Sequence, residues 1–274
     1  MKRLFNFVLV FMFALCSFSI LSVSKDDSTS RLKVYAAYES TYGGTPLDIV
    51  EERIDFAYRQ VDIYYNPYEL PPYSSNYSCG ITAGGIVFGF YDRLYEELIP
   101  NHQGFTFKGK FFYGTQGEAV QKMHDELYVK MNATAEGVTI QGFTNGIKTY
   151  AGSKGRTATL DSAIKNNSLN LTACKNAFKN EKLLSLFVDG FHVIPINALE
   201  ENENYDYIPI CRVAGAHIMI SYGYKIVSYY NEQNQCFRTD SYLYVNTGLS
   251  NPTFGLLRIN SHCTLDDAYI IEVK

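Results

Sequence analysis

The sequence predicts an α+β protein with its helices first and its strands second. Two observations carry this. Between residues 81 and 179, apolar residues recur at helical spacing in three stretches. From residue 183 onward the chain is rich in β-branched and aromatic residues, broken by turn-forming clusters. A chain divided in this way predicts a helical lobe and an antiparallel β lobe with a cleft between them. The 274 residues include 23 Tyr and 18 Phe but no Trp, so aromatic packing is built from the smaller rings of a globular chain. A formal net charge of −4 with no basic cluster argues against nucleic acid as a partner.

Taken in order, Met1-Lys2-Arg3, an apolar run over 4–21 and Ser22-Val23-Ser24 read as a secretory signal peptide, residues 1–24, cleaved after Ser24. A retained anchor is the competing reading, since the apolar run is near the lower limit for a spanning helix. Leu15 ahead of Cys16 argues against a lipid-modified cysteine. Removal of this segment leaves about 250 residues, enough for one large domain or two small lobes. The exported chain is then secreted or held at the cell surface, with no stable membrane insertion. Residues 25–31 are charged and Ser/Thr-rich and read as a loose terminus, while 46–60, with Ile49, Ile54, Phe56 and Ala57, has the period of a short amphipathic helix. Residues 25–70 as a whole are taken as an N-terminal extension of the folded unit, and 71–274 as the main domain.

Pro67, Pro71 and Pro72 make a stiff approach to Ser78-Cys79-Gly80. Residues 81–99 place Ile86, Phe90, Leu94 and Leu98 on one helical stripe, with Gly84, Gly85 and Gly89 marking close approach of a neighbour, and Pro100-Asn101 ends the run. A helix over 117–131, a short strand over 137–141, a polar loop at 166–170 and a helix over 171–179 follow. Strands are expected at 183–196, 212–222, 224–230, 237–246, 256–259 and 268–273, interrupted at Asp189-Gly190, Gly223 and 231–234.

Chemistry concentrates at Cys79. A cysteine at the start of a helix meets unpaired N–H groups and the positive end of the dipole, which favour a thiolate and can hold a developing oxyanion. The exported chain also keeps Cys174, Cys211, Cys236 and Cys263, an odd total that leaves one thiol unpaired in an oxidising compartment. Cys79 is the candidate for that thiol. The other four allow three connectivities, among which Cys211 with Cys236 is favoured. The bland reading of Cys79 is a small buried or disulfide-bonded residue.

A thiol nucleophile needs an imidazole base. His217, at the entry of a strand after Ala214-Gly215-Ala216, has small neighbours that leave the ring accessible. His192 lies between Phe191 and Val193 and reads as structural, His124 sits in a charged helix, His102 in a loop, and His262 beside Cys263 has no second pair to complete a zinc site. Asn246, ending a strand before Thr247-Gly248, is placed to orient the ring, with Asp240 as its rival; an Asn there is otherwise a turn former. No metal, nucleotide or flavin motif is visible, so no cofactor is expected.

Together these residues resemble the papain-like cysteine peptidase superfamily, closest to secreted bacterial branches. The resemblance rests on Cys-Gly opening a central helix, Gly-Ala-His at a strand, a Tyr-Gly-Tyr turn and a later Val-Asn, with Cys79-Gly80-Ile81-Thr82-Ala83-Gly84 followed by Tyr91-Asp92-Arg93. It covers about residues 70–250. It implies a two-lobed papain-like fold, an N-terminal helical lobe with the nucleophile helix at its centre and a C-terminal antiparallel β-sheet lobe. By the same resemblance Cys79 is nucleophile, His217 base and acid, and Asn246 orienter, in a monomer that hydrolyses peptide or protein substrates. The glutamine six residues before the cysteine is replaced by Tyr73, with Asn76 the nearest amide for the oxyanion, and the usual tryptophans are missing. Two alternatives follow: a weak or inactive secreted binding protein on this fold, or a thiol acyltransferase or amidase. Asn76, Asn132, Asn166 and Asn170 also stand in glycosylation acceptor patterns.

Overall fold

The computed structural model describes residues 34–35, 48–102, 104–259 and 263–274. The proposed signal peptide, Cys16, the 25–31 terminus and His262 lie outside the described residues. The described chain runs β1 (Val34–Tyr35), β2 (Asp48–Asp55), β3 (Tyr58–Tyr65), α1 (Cys79–Asp92), β4 (Phe105–Phe107), β5 (Lys110–Phe112), α2 (Glu118–Lys130), β6 (Val138–Thr139) and α3 (Ile140–Ser153). Then come β7 (Ala158–Ser162), β8 (Ile164–Lys165), β9 (Ser168–Leu169), α4 (Leu171–Lys179), β10 (Leu183–Pro195), β11 (Glu200–Glu201), β12 (Tyr205–Tyr230), β13 (Cys236–Asn246), β14 (Phe254–Arg258) and β15 (Thr264–Val273). This is a mixed α+β protein, with four α-helices and one large antiparallel sheet among the described residues.

The sheet is organised by two long strands. β10 pairs with β12 along one edge and with β15, then β14, along the other. β13 joins β12 to β14, so β10, β12, β13 and β14 close a ring. β12 spans 26 residues because it carries further partners at both ends, β2 against 205–212 and β3 against 223–230. Gly190 and Gly215 take positive φ of 68° and 91°, beside the register shift between Asp189 and Phe191 that bends the β10–β12 ladder just ahead of His217.

Strand alternation divides the core. Phe187, Ile218, Ile220, Tyr222 and Ile271 join one buried cluster with α1, α2 and α3. Leu186, Met219, Leu243 and Leu257 join another with Cys174 and Phe178 of α4. Helix α1 is buried almost all round, from Gly80 to Tyr91, as expected of a central helix. Its glycines admit close neighbours: a Cβ at Gly85 would stand 2.3 Å from His124 Nε2, and one at Gly89 2.3 Å from Tyr73 Cε2.

Several expectations need correction. The described part of the expected 46–60 helix, from residue 48 on, is strand: β2 and the start of β3 lie there, and Ile54 and Phe56, two residues apart, enter a small core with Ile208, Ile210 and Tyr229. Pairing with the two ends of β12 overrides the weak local helical period. Helix α3 replaces a stretch with no assigned structure; Thr139 caps it by accepting from the Gly142 N–H, and Phe143, Ile147, Tyr150 and Ala151 form its buried stripe. The stripe expected over 81–99 stops at Asp92, and Leu94 is exposed. No disulfide joins the five described cysteines. Cys211 stands opposite Val193 and Ile49, whereas Cys236 stands opposite Tyr230, far along the same strand, so the favoured Cys211–Cys236 pair is not made.

Candidate functional site

Cys79 is the first residue of α1, and the loop before it is tied down at several points. Ser74 donates its N–H to Gln116 Oε1 at 2.9 Å and accepts from Gln116 Nε2 at 2.6 Å, so one side chain clamps both backbone groups. Ser75 Oγ meets Thr82 Oγ1 at 2.8 Å, tying the loop to the first turn of α1. Tyr77 donates to Asp125 Oδ1 at 2.7 Å and packs on Tyr128 of α2. Ser78 stands at the N-cap, but its hydroxyl makes no capping bond and is buried without a partner. The N–H groups opening α1 are therefore not covered by that side chain.

β12 lies directly on this helix start. A Cβ at Gly80 would come within 2.9 Å of Val138 Cβ and 3.3 Å of Ile218 Cδ1, so glycine lets the residue next to His217 pack onto the residue next to Cys79. The backbone of Ile218 also favours ionisation of Cys79, as do those of Gly80 and Cys79 itself. Burial dominates nevertheless and pushes the Cys79 thiol up to about 11. Cys79 is half-buried, and the desolvation of its sulfur outweighs the help of the helix start.

The His217 ring is buried, stacks on Phe191 at 5.5 Å, and its Nε2 lies 2.6 Å from the backbone carbonyl of Thr247. A carbonyl oxygen only accepts, so Nε2 carries the proton and the neutral ring keeps its lone pair on Nδ1. Burial pulls the imidazole pKa below its ordinary value of 6.5, partly offset by the Thr247 carbonyl. The loop supplying that carbonyl reaches α1 itself: Gly248, at φ 71°, would place a Cβ 3.1 Å from Thr82 Cγ2, one turn after Cys79. Cys79, Thr82, the His217–Ile218 pair and Thr247-Gly248 thus share one neighbourhood.

The remaining candidates are placed as follows. Asn246 is fully buried, donates from Nδ2 to the Pro71 carbonyl at 3.0 Å and accepts from the Gly248 N–H at 2.9 Å. Its amide thereby staples the approach loop to the strand end, and the orienting contact on His217 comes from the next residue's backbone. Asn76 is exposed. Tyr73, at the place of the missing glutamine, is buried with its hydroxyl 2.7 Å from His102 Nε2. Asp240 bonds Arg258 at 2.8 Å and Tyr242 at 3.0 Å within an ionic cluster that includes Glu52 and Arg238. His124 is buried against α1. Among the described residues no three His, Cys, Asp or Glu side chains converge as metal ligands would. Thr247 and Gln116 escaped sequence reasoning: the first acts through its backbone, and the second is an ordinary polar residue in a loop.

No family model, no curated protein and no solved structure matches this chain.

Proposed function

We propose that the protein is a secreted papain-like thiol hydrolase that cleaves peptide bonds with Cys79 as nucleophile and His217 as base and acid. The observation that supports this best is the Thr247 carbonyl on His217 Nε2, which leaves Nδ1 as the proton acceptor in a ring whose neighbour in sequence, Ile218, packs at Gly80 beside Cys79. Burial raises the thiol pKa and lowers the imidazole's, so the resting proton stays on sulfur and the pair is neutral. His217 Nδ1 takes that proton as Sγ attacks the substrate carbonyl carbon. The resulting oxyanion is received by the N–H of Cys79 at the helix start. Collapse of the intermediate expels the amine, which takes the proton from His217, and leaves a thioester. Water then gives a proton to Nδ1, attacks the thioester and releases the carboxylic acid, returning the proton to sulfur. Asn246 acts through the loop, holding Thr247 and Pro71 in place.

Replacing Cys79 by alanine is expected to abolish both turnover of a peptide mixture and labelling by a peptidyl thiol-directed probe. Undiminished hydrolysis by that variant would rule out the assignment. A second reading, a binding protein on the same scaffold, is favoured by Tyr73, whose hydroxyl is engaged with His102 where the family uses an oxyanion amide. Stable probe labelling of Cys79 without any turnover over a broad peptide library would select that reading.

A further inference from the structure

The hairpin of β4 and β5 forms a two-stranded sheet of its own, separate from the large sheet. Its sequence, Phe105-Thr106-Phe107-Lys108-Gly109-Lys110-Phe111-Phe112, contains four aromatic rings and two lysines and no acidic residue. The register sets Phe105 opposite Phe112 and Phe107 opposite Lys110, so these four share one face, with Thr106 and Phe111 on the other. Phe111 roots the hairpin: its ring packs edge-on against Tyr68 and Tyr113, and a Cβ at Gly104 would lie 2.4 Å from it. The opposite face stays in solvent, with Phe105, Phe107 and Phe112 exposed by 61, 58 and 39 %.

Three adjoining exposed phenylalanines are unusual for a surface with no partner. Phe105 and Phe112 stack at 5.2 Å, which fixes them as one apolar plate rather than as isolated rings. Lys108 stands at the turn with φ 49°, its ammonium 5.5 Å from the Phe107 ring, and Lys110 follows across Gly109. Glu69 lies 3.6 Å from the Lys110 ammonium, with both side chains at least half exposed, so solvent screens the pair. Asp92, Arg93 and Glu96 line a cleft with Gly104 and Phe111 at the root, so charges of both signs stand there. The hairpin itself is cationic and apolar, with no acid of its own.

We propose that this hairpin docks the protein reversibly onto an anionic lipid surface. The Phe105, Phe107 and Phe112 rings enter the headgroup boundary while Lys108 and Lys110 reach lipid phosphates alongside them. Two strands of three residues each present too few side chains for a stable protein interface, but they suit peripheral insertion. This docking is independent of the thiol chemistry, because none of its residues belongs to the Cys79 neighbourhood.

Co-sedimentation of the full chain with vesicles of one part phosphatidylglycerol to three parts phosphatidylcholine tests it. The native chain is expected to pellet at low salt and to release as salt rises. Phe105→Ser with Phe107→Ser is expected to abolish pelleting with an unchanged circular dichroism spectrum, since both residues are exposed. Lys108→Gln with Lys110→Gln is expected to lower the partition coefficient by about tenfold or more. Failure of the native chain to pellet, equal pelleting of the serine variant, or equal partition onto pure phosphatidylcholine would overturn the proposal.

Discussion

At the residue scale, the candidate site is a matter of which atom carries which proton. With burial lowering the His217 pKa, the ring is neutral down to some point below pH 6.5, and only the neutral ring can take the thiol proton. Turnover is therefore expected to hold level through neutral pH and to fall in acid, with a midpoint under 6.5, measured as the pH dependence of kcat/KM. A midpoint above 6.5 would mean that a nearby anion, not burial, governs the ring. Asn246→Ala removes two buried hydrogen bonds and leaves the Pro71 carbonyl and the Gly248 N–H without their partner, at a cost of about 2–4 kcal/mol in urea unfolding. It is expected to lower kcat without moving the acid midpoint, because the contact on His217 is made by the Thr247 backbone. Cys79 and His217 were legible as candidates because a thiol at a helix start and an imidazole after small residues announce themselves by type, although His217 stands in the middle of β12, not at its entry, and its ring is buried rather than accessible. The Thr247 carbonyl was not, since every residue has one and only the fold aims it.

At the element scale, α1 and α2 meet through a small residue and a histidine. His124 is buried against Gly85, both its ring nitrogens lack partners, and burial lowers its pKa from 6.5 to about 4. Because the unfolded ring binds its proton more readily, stability is expected to fall by about 3 kcal/mol as pH drops from above 6.5 towards 4. His124→Leu should remove that slope, seen by comparing unfolding free energies of variant and native chain at pH 7 and pH 4. Gly85→Ala is expected to cost about 1–3 kcal/mol by crowding the ring, and part of that loss should return when His124 is also made alanine. Helix α2 was readable because Val120, Met123 and Leu127 repeat cleanly between Gly117 and Met131. Helix α3 was obscured by Gly142, Gly146 and Gly152, which lower helical propensity but admit neighbours such as Met131 beside Gly146. Strands β2 and β3 were hidden for the opposite reason: their charged, exposed residues acquire strand structure from the two ends of β12, more than a hundred residues away.

At the scale of the whole molecule, the strand-rich second half was visible in composition, but β2 and β3 stand ahead of the first helix and join the same large antiparallel sheet, so the order is not simply helices and then strands. What composition did not disclose was the closure of that sheet through β10, β12, β13 and β14, which depends on long-range register. Closure makes β10 and the middle of β12 the best protected chain, since residues 184–188 and 220–221 pair on both edges. Native-state amide exchange is accordingly expected to be slowest there and fastest in the β4–β5 hairpin, which pairs only with itself. His217 pairs with Val188 of β10, and Thr247 returns to it from the far end of β13. The most direct test is the rate at which iodoacetamide alkylates Cys79 at pH 7, followed by mass spectrometry in the native chain and in His217→Ala. A base at His217 requires the variant to react about 100-fold more slowly; equal rates in the two proteins would show that sulfur and imidazole exchange no proton.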